Sequence, residues 1–148
     1  MKVIRLLMYT KDEIQKITKK LIKRINSANP FKIAEHLNVN VIECDLGSIL
    51  GYYKYHKRNK YIVINQNLDE AMKLIVCSHE LGHAVLHTRV NTPYLTKFTL
   101  FSESRIERDA NIFAMYVLQH LGKWNYYVFI NILKLPETII ELNREALL

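Results

Sequence analysis

The chain has 148 residues, enough for one domain with a real core and too few for a second full one, so a single domain over residues 1–148 is expected. A hydrophobic content of 49% with four glycines and three prolines excludes a disordered or low-complexity chain. The net charge of +7 would suit an acidic partner, but the lysines gather on one early helix in the manner of a solvated face, which argues against direct nucleic-acid binding.

The apolar run at the amino terminus is too short for a signal peptide, and no 18-residue apolar stretch could span a membrane, so a cytoplasmic protein is expected. Cys44 and Cys77 fall in a predicted strand and a predicted helix, the pattern of buried, reduced thiols.

Thr10 and Glu13 have the spacing of a capping box, and Ile14, Ile17, Leu21, Ile22 and Ile25 follow with helical period. The spacing predicts an amphipathic helix to about Asn26, with Lys11, Lys16, Lys19, Lys20, Lys23 and Arg24 on its polar side. Asn29-Pro30 opens a short helix bearing Phe31, Ile33, Ala34 and Leu37. The stretch from Ile33 to Val39 begins as a helix-turn-helix begins. Its continuation excludes one, because β-branched residues alternate after Asn38 and no recognition helix follows.

A strand is predicted from Asn40 to Cys44. Leu50 to Tyr55 and Lys60 to Asn65 then form a hairpin around the basic turn His56 to Asn59. The three strands are expected to make a small antiparallel sheet, with the edge of Lys60 to Asn65 open to hold an extended substrate.

Asn67, with Glu70 three residues later, is the expected cap of the next helix, which runs to about Thr88 and contains His79-Glu80-Leu81-Gly82-His83. Two histidines four apart lie on one helix face about 6 Å apart along the axis, so both imidazoles can turn toward one ion. Glu80 sits roughly 100° round the helix, suited to act as general base on a water there. The flanks Leu74 to Cys77 and Ala84 to Leu86 carry no charge, so the polar groups of the motif are buried or line a cleft.

A loop is expected from Arg89 to Phe101, with strand character at Tyr94 to Leu100. Helix resumes at Ser102 or Ser104 and reaches Gly122, with Ile106, Ala110, Phe113, Ala114, Val117 and Leu118 as its apolar stripe. Two further helical stretches, Trp124 to Leu133 and Pro136 to Glu145, close the chain.

A catalytic zinc centre needs a third protein ligand. His87 lies about 12 Å along the axis from His79, too far to share its ion. The pattern HExxHxxGxxH fails at Leu86 and Arg89. A carboxylate of the second helix remains: Asp109 falls about 100° from the apolar stripe, and the wheel leaves both Glu103 and Glu107. Gly82, Ala110 and Ala114 are small enough to let the two helices approach closely.

The segment Glu107-Arg108-Asp109-Ala110-Asn111-Ile112-Phe113-Ala114, paired with His79-Glu80-Leu81-Gly82-His83, resembles the E-x-x-A-N-x-F-A and HExxH motifs of the ImmA/IrrE family of gluzincin metallopeptidases. The resemblance implies an α+β, zincin-like fold, with His79, His83 and Glu107 as ligands of one catalytic zinc ion and Glu80 as the catalytic base. It also implies an endopeptidase that cleaves a helix-turn-helix repressor of a mobile genetic element, acting as an anti-repressor. Asn111, one turn from Glu107, with Asp109 behind it, is expected to orient the histidines. Tyr94, Arg108 and His120 are the candidate oxyanion donors. The rival reading is a non-catalytic zinc-fold module that sequesters or recruits a regulatory protein. An intact Glu80 argues against it, since a structural site has no use for a base.

Overall fold

The computed structural model describes residues 9–91, 94–96 and 104–123. The predicted helices at 124–133 and 136–145, the strand character at 97–100 and the ligand candidate Glu103 lie outside them. The described elements are α1 (Lys11–Ile25), α2 (Pro30–His36), β1 (Val39–Cys44), β2 (Gly51–His56), β3 (Asn59–Asn65), α3 (Glu70–Leu86) and α4 (Arg105–His120). None of these helices is long and apolar enough to cross a membrane.

Local chemistry accounts for the first two helices. Thr10 and Glu13 form the reciprocal capping box, and Asn26 ends α1 in the left-handed conformation. The side chain of Asn29 accepts from the Phe31 amide, with Pro30 in the first turn of α2. Ile14, Thr18 and Leu21 are buried along α1, while Lys16, Lys19, Lys20, Lys23 and Arg24 are exposed, as a solvated face requires. After α2 the chain enters β1, so no recognition helix follows.

The sheet is mixed rather than antiparallel. Its order is β1-β3-β2: β2 and β3 form the expected antiparallel hairpin, but β1 runs parallel to β3, with Val39 opposite Lys60 and Cys44 opposite Asn65. The connection over residues 45–50 therefore has to cross the end of β3 to reach its far side. Asn65 at that end holds it, donating from Nδ2 to the carbonyls of Gly47 (2.9 Å) and Ile49 (3.0 Å), while its amide donates to Leu50 (2.9 Å). Ile62, Val63 and Ile64 are all buried, so side chains on both faces of β3 are covered. Central placement removes the open edge expected for β3, because both of its sides are paired.

The motif helix α3 is capped by Asp69 rather than Asn67. Asp69 Oδ1 accepts from the Met72 amide at 2.8 Å, whereas the Asn67 side chain donates to Asp45. Glu70 and Ala71 are exposed and Met72 to Leu74 half-buried, and from Ile75 to Ala84 the helix is buried without interruption. It packs on β2 and β3 on one side and on α4 on the other, where the contact is the most extensive between any two described elements. Beyond α3 the chain returns along the outer edge of β2. The amide of Tyr55 donates to Asn91 Oδ1, and Leu95 exchanges backbone hydrogen bonds with Leu50 and Gly51. Both cysteines are free thiols, and burial pushes the thiol of Cys77 up.

Candidate metal centre

One residue type lets the two motif helices meet. A Cβ placed on Gly82 would lie 3.0 Å from the Ala110 Cα and 3.2 Å from its carbonyl oxygen. At that separation α4 presents the side chains of Glu107 and Asn111, one turn apart, to the histidines of α3.

Three groups converge. His79 Nε2 lies 3.0 Å from one oxygen of Glu107, and His83 Nε2 lies 3.0 Å from the other. Ligands held 2.0–2.1 Å from a tetrahedral ion are about 3.3 Å apart, so this spacing suits a zinc ion with little adjustment. The contact between His83 and Glu107 is close but misaligned, leaving His83 Nε2 and Glu107 Oε1 buried without a hydrogen-bond partner. Both carboxylate oxygens of Glu80 are likewise buried and unpaired, and a Glu80 oxygen lies within 4.8 Å of His79 and His83 ligand atoms. Buried polar groups are left this way at a real cost, which a bound cation would remove.

The hydrogen bond behind His79 gives an independent test of fit. Asn111 Oδ1 lies 2.8 Å from His79 Nδ1, and a carbonyl oxygen can only accept, so Nδ1 carries the proton. The lone pair of Nε2 then faces a carboxylate, two electron-rich atoms 3.0 Å apart, and something positive must sit between them. A proton can do so: although burial opposes it, the hydrogen bond and charge of Glu107 raise the pKa of His79. A divalent metal ion would satisfy all three groups together. The donor set, two imidazoles and a carboxylate, is one that transition-metal ions accept.

Burial and the facing charges set the ionisation of each group in the metal-free site. Burial lowers His83 to about 4, so its imidazole is neutral at pH 7. Glu107 is held well below the usual carboxylate range: burial acts against this, but the two imidazoles that face it at 3.0 Å outweigh it. Burial pushes Glu80 up to about 8, with His79 opposing and the charge of Glu107 adding to the rise, so its carboxyl is largely protonated at pH 7 in the metal-free site and a cation beside it would favour the carboxylate.

The other expected residues are distributed unevenly. Asn111 Oδ1 faces His79 Nδ1, while Asp109 lies elsewhere. Asp109 Oδ2 instead lies 3.2 Å from His87 Nε2, and His87 Nδ1 lies 3.1 Å from His83 Nδ1. His87 thus joins the cluster between His83 and Asp109, a contact that the sequence reading did not anticipate. The available signal was its place on the stripe His79, His83, His87. Of the proposed oxyanion donors, Tyr94 lies against the ring of Tyr52 at 4.9 Å, and Arg108 is half-buried next to Glu107 in the chain. His120 stands more than three turns beyond Glu107, about 20 Å along α4, and its Nδ1 donates to the Tyr116 carbonyl.

Similarity to known proteins covers the same part of the chain. The family model of Peptidase_M78, described as the IrrE N-terminal-like domain, matches residues 34–119, which include α3 and the second motif. The chain is similar to immunity region protein 2 of Bacillus phage phi105, with 51% identity over 106 residues, covering 71% of this chain and 67% of the phage protein. It is also similar to metallopeptidase ImmA of Bacillus subtilis strain 168, with 29% identity over 109 residues, covering 72% of this chain and 63% of ImmA. No solved structure matches.

Proposed function

The chain belongs to the Peptidase_M78 family of IrrE N-terminal-like domains, and on that footing we propose that it is a zinc-dependent endopeptidase. The observation that carries the reading is the convergence of His79, His83 and Glu107 at 3.0 Å beside a buried, unpaired Glu80. Zinc held by those three side chains supplies Lewis acidity toward a water and toward the carbonyl of the peptide bond.

The chain's own groups do the rest. Glu80 takes a proton from the attacking water and returns it to the amine nitrogen as the peptide bond breaks. Asn111 keeps the proton of His79 on Nδ1, so that Nε2 presents a lone pair. The close seam between α3 and α4 excludes bulk water from behind the histidines and keeps Glu80 from being solvated in place of its reactant. Tyr94 and Arg108 are the candidates for holding the developing oxyanion.

The proposed substrate is a helix-turn-helix repressor of a mobile genetic element, cleaved at one site in the cytoplasm so that the element is derepressed. The phage relative, named for an immunity region, and the similarity to ImmA both support this reading. The test is co-expression with the helix-turn-helix protein encoded beside it, followed by mass spectrometry of that protein. Cleavage is expected with the native chain. Glu80→Gln should keep the metal and the fold while slowing cleavage by at least about 10²-fold. Derepression that survives Glu80→Gln unchanged would reject the enzyme in favour of a binding module.

A further inference from the structure

His79 and His83 face the same carboxylate, yet they are supported differently from behind. His79 leans on an amide oxygen from α4. His83 leans on a second imidazole, His87, one turn further along its own helix, and His87 in turn reaches Asp109 on α4. His83 and His87 are fully buried and Asp109 nearly so, and the ring of Tyr9 stands edge-on to His87 at 6.2 Å.

We propose that His87 and Asp109 are positioning residues, forming a one-way hydrogen-bond relay that fixes the proton of His83 on Nδ1 and aims its Nε2 lone pair at the metal. The proton inventory sets the direction. The Asp109 carboxylate can only accept, so His87 Nε2 carries a proton and donates it at 3.2 Å. A His83 that offers its Nε2 lone pair to a metal carries its one proton on Nδ1. That proton faces His87 Nδ1 at 3.1 Å, which accepts it. With that proton on Nδ1, His83 Nε2 is free of hydrogen 3.0 Å from Glu107.

The relay therefore brings His83 to the protonation pattern that Asn111 gives His79. It also ties α3 to α4 a second time, beside the Gly82 seam. A histidine in an ordinary core would need its two nitrogens satisfied in either sense. Here the carboxylate at one end takes the Nε2 proton of His87 and leaves its Nδ1 available to accept from His83, the sense that matches metal binding. Orienting groups of this type are typically worth 10- to 100-fold in metal affinity.

The inference rests on the metallopeptidase reading, and the experiment separates the two. Zinc affinity is measured on the full chain by competition with a chromophoric chelator, and the histidine tautomers are read from nitrogen-15 spectra of the metal-free protein. His87→Leu and Asp109→Leu should weaken zinc binding by about 10- to 100-fold. His87→Gln and Asp109→Asn, which keep an acceptor oxygen, should recover most of that loss. In the unaltered protein the proton of His87 should be on Nε2. Unchanged affinity in both leucine variants, or no recovery by the amides, would overturn the relay. Should the leucine variants fail to fold, a His87 proton found on Nδ1 overturns it alone. An intact chain that takes up no stoichiometric zinc overturns the peptidase reading instead, and the tautomer of His87 still decides the relay.

Discussion

Gly82 and Ala110 meet backbone to backbone: a methyl group on Gly82 would sit 3.0 Å from the Ala110 Cα, with the Phe113 Cβ 3.2 Å away. None of these atoms is the far end of a flexible side chain, so the helices themselves would have to part. Gly82→Ala gains roughly 1 kcal/mol in helix propensity, and overpacking of a tight seam costs about 1–3 kcal/mol. Urea denaturation should show a net loss of stability and a weaker hold on metal. A variant more stable than the parent would mean that the seam is looser than this.

Removing the metal should destabilise the protein. The ion would satisfy His83 Nε2 and Glu107 Oε1, both buried without a hydrogen-bond partner. Saturation at a thousand times the dissociation constant adds about 4 kcal/mol to the folded state. Scanning calorimetry with and without a strong chelator should show a drop in Tm that added zinc reverses. An unchanged Tm would count against metal at this site.

Glu80 and Glu107 should separate cleanly in metal content. Glu107 touches both imidazoles at 3.0 Å, whereas Glu80 contributes no ion-pair contact of this kind among the described residues. Glu107→Gln is expected to be purified largely without zinc, and Glu80→Gln with about one equivalent. Elemental analysis of the two proteins would check this, and equal metal content would reassign the third ligand.

Asn65 holds the crossing from β1 to β2 through two carbonyls, and its Oδ1 accepts from the Asn67 amide at 3.0 Å. Asn65→Leu leaves these backbone groups without their partner at a buried position. A loss of about 1–3 kcal/mol is expected in urea denaturation. A neutral substitution would show that water replaces the amide.

Lys57 and Arg58 both adopt left-handed backbone angles, with φ of 49° and 66°, at the tip of the β2–β3 hairpin. This is the conformation that Asn-Gly accepts with least strain. Replacing the pair with Asn-Gly should stabilise the fold by about 1 kcal/mol, visible as a raised Tm. No change would indicate that the hairpin sets little of the global stability.

Much of this architecture was legible in the chain because it is encoded over short distances. The capping box of Thr10 and Glu13, the start at Asn29-Pro30 and the β2–β3 hairpin each depend on residues within a few positions of one another. So does the histidine pair of α3, and the structure agrees with each. The cap of α3 was misread because Asn67 and Asp69 both offer an acceptor oxygen two residues apart. Which of them turns to the helix depends on Asp45, far back in the chain, which takes the Asn67 amide.

Tertiary structure alone decided how separated segments met. Alternating side chains mark β1 as a strand, but they carry no direction, so only the crossing at Asn65 makes it parallel to β3 and buries the edge expected to be open. The helical wheel left Glu103 and Glu107 both standing, and the close seam at Gly82 presents Glu107 to both histidines. The same seam set Asp109 against His87, whose axial distance had excluded it as a ligand but said nothing about what stood behind His83. Helical period tells which residues share a face; which face of another helix it meets is settled by packing across the whole core.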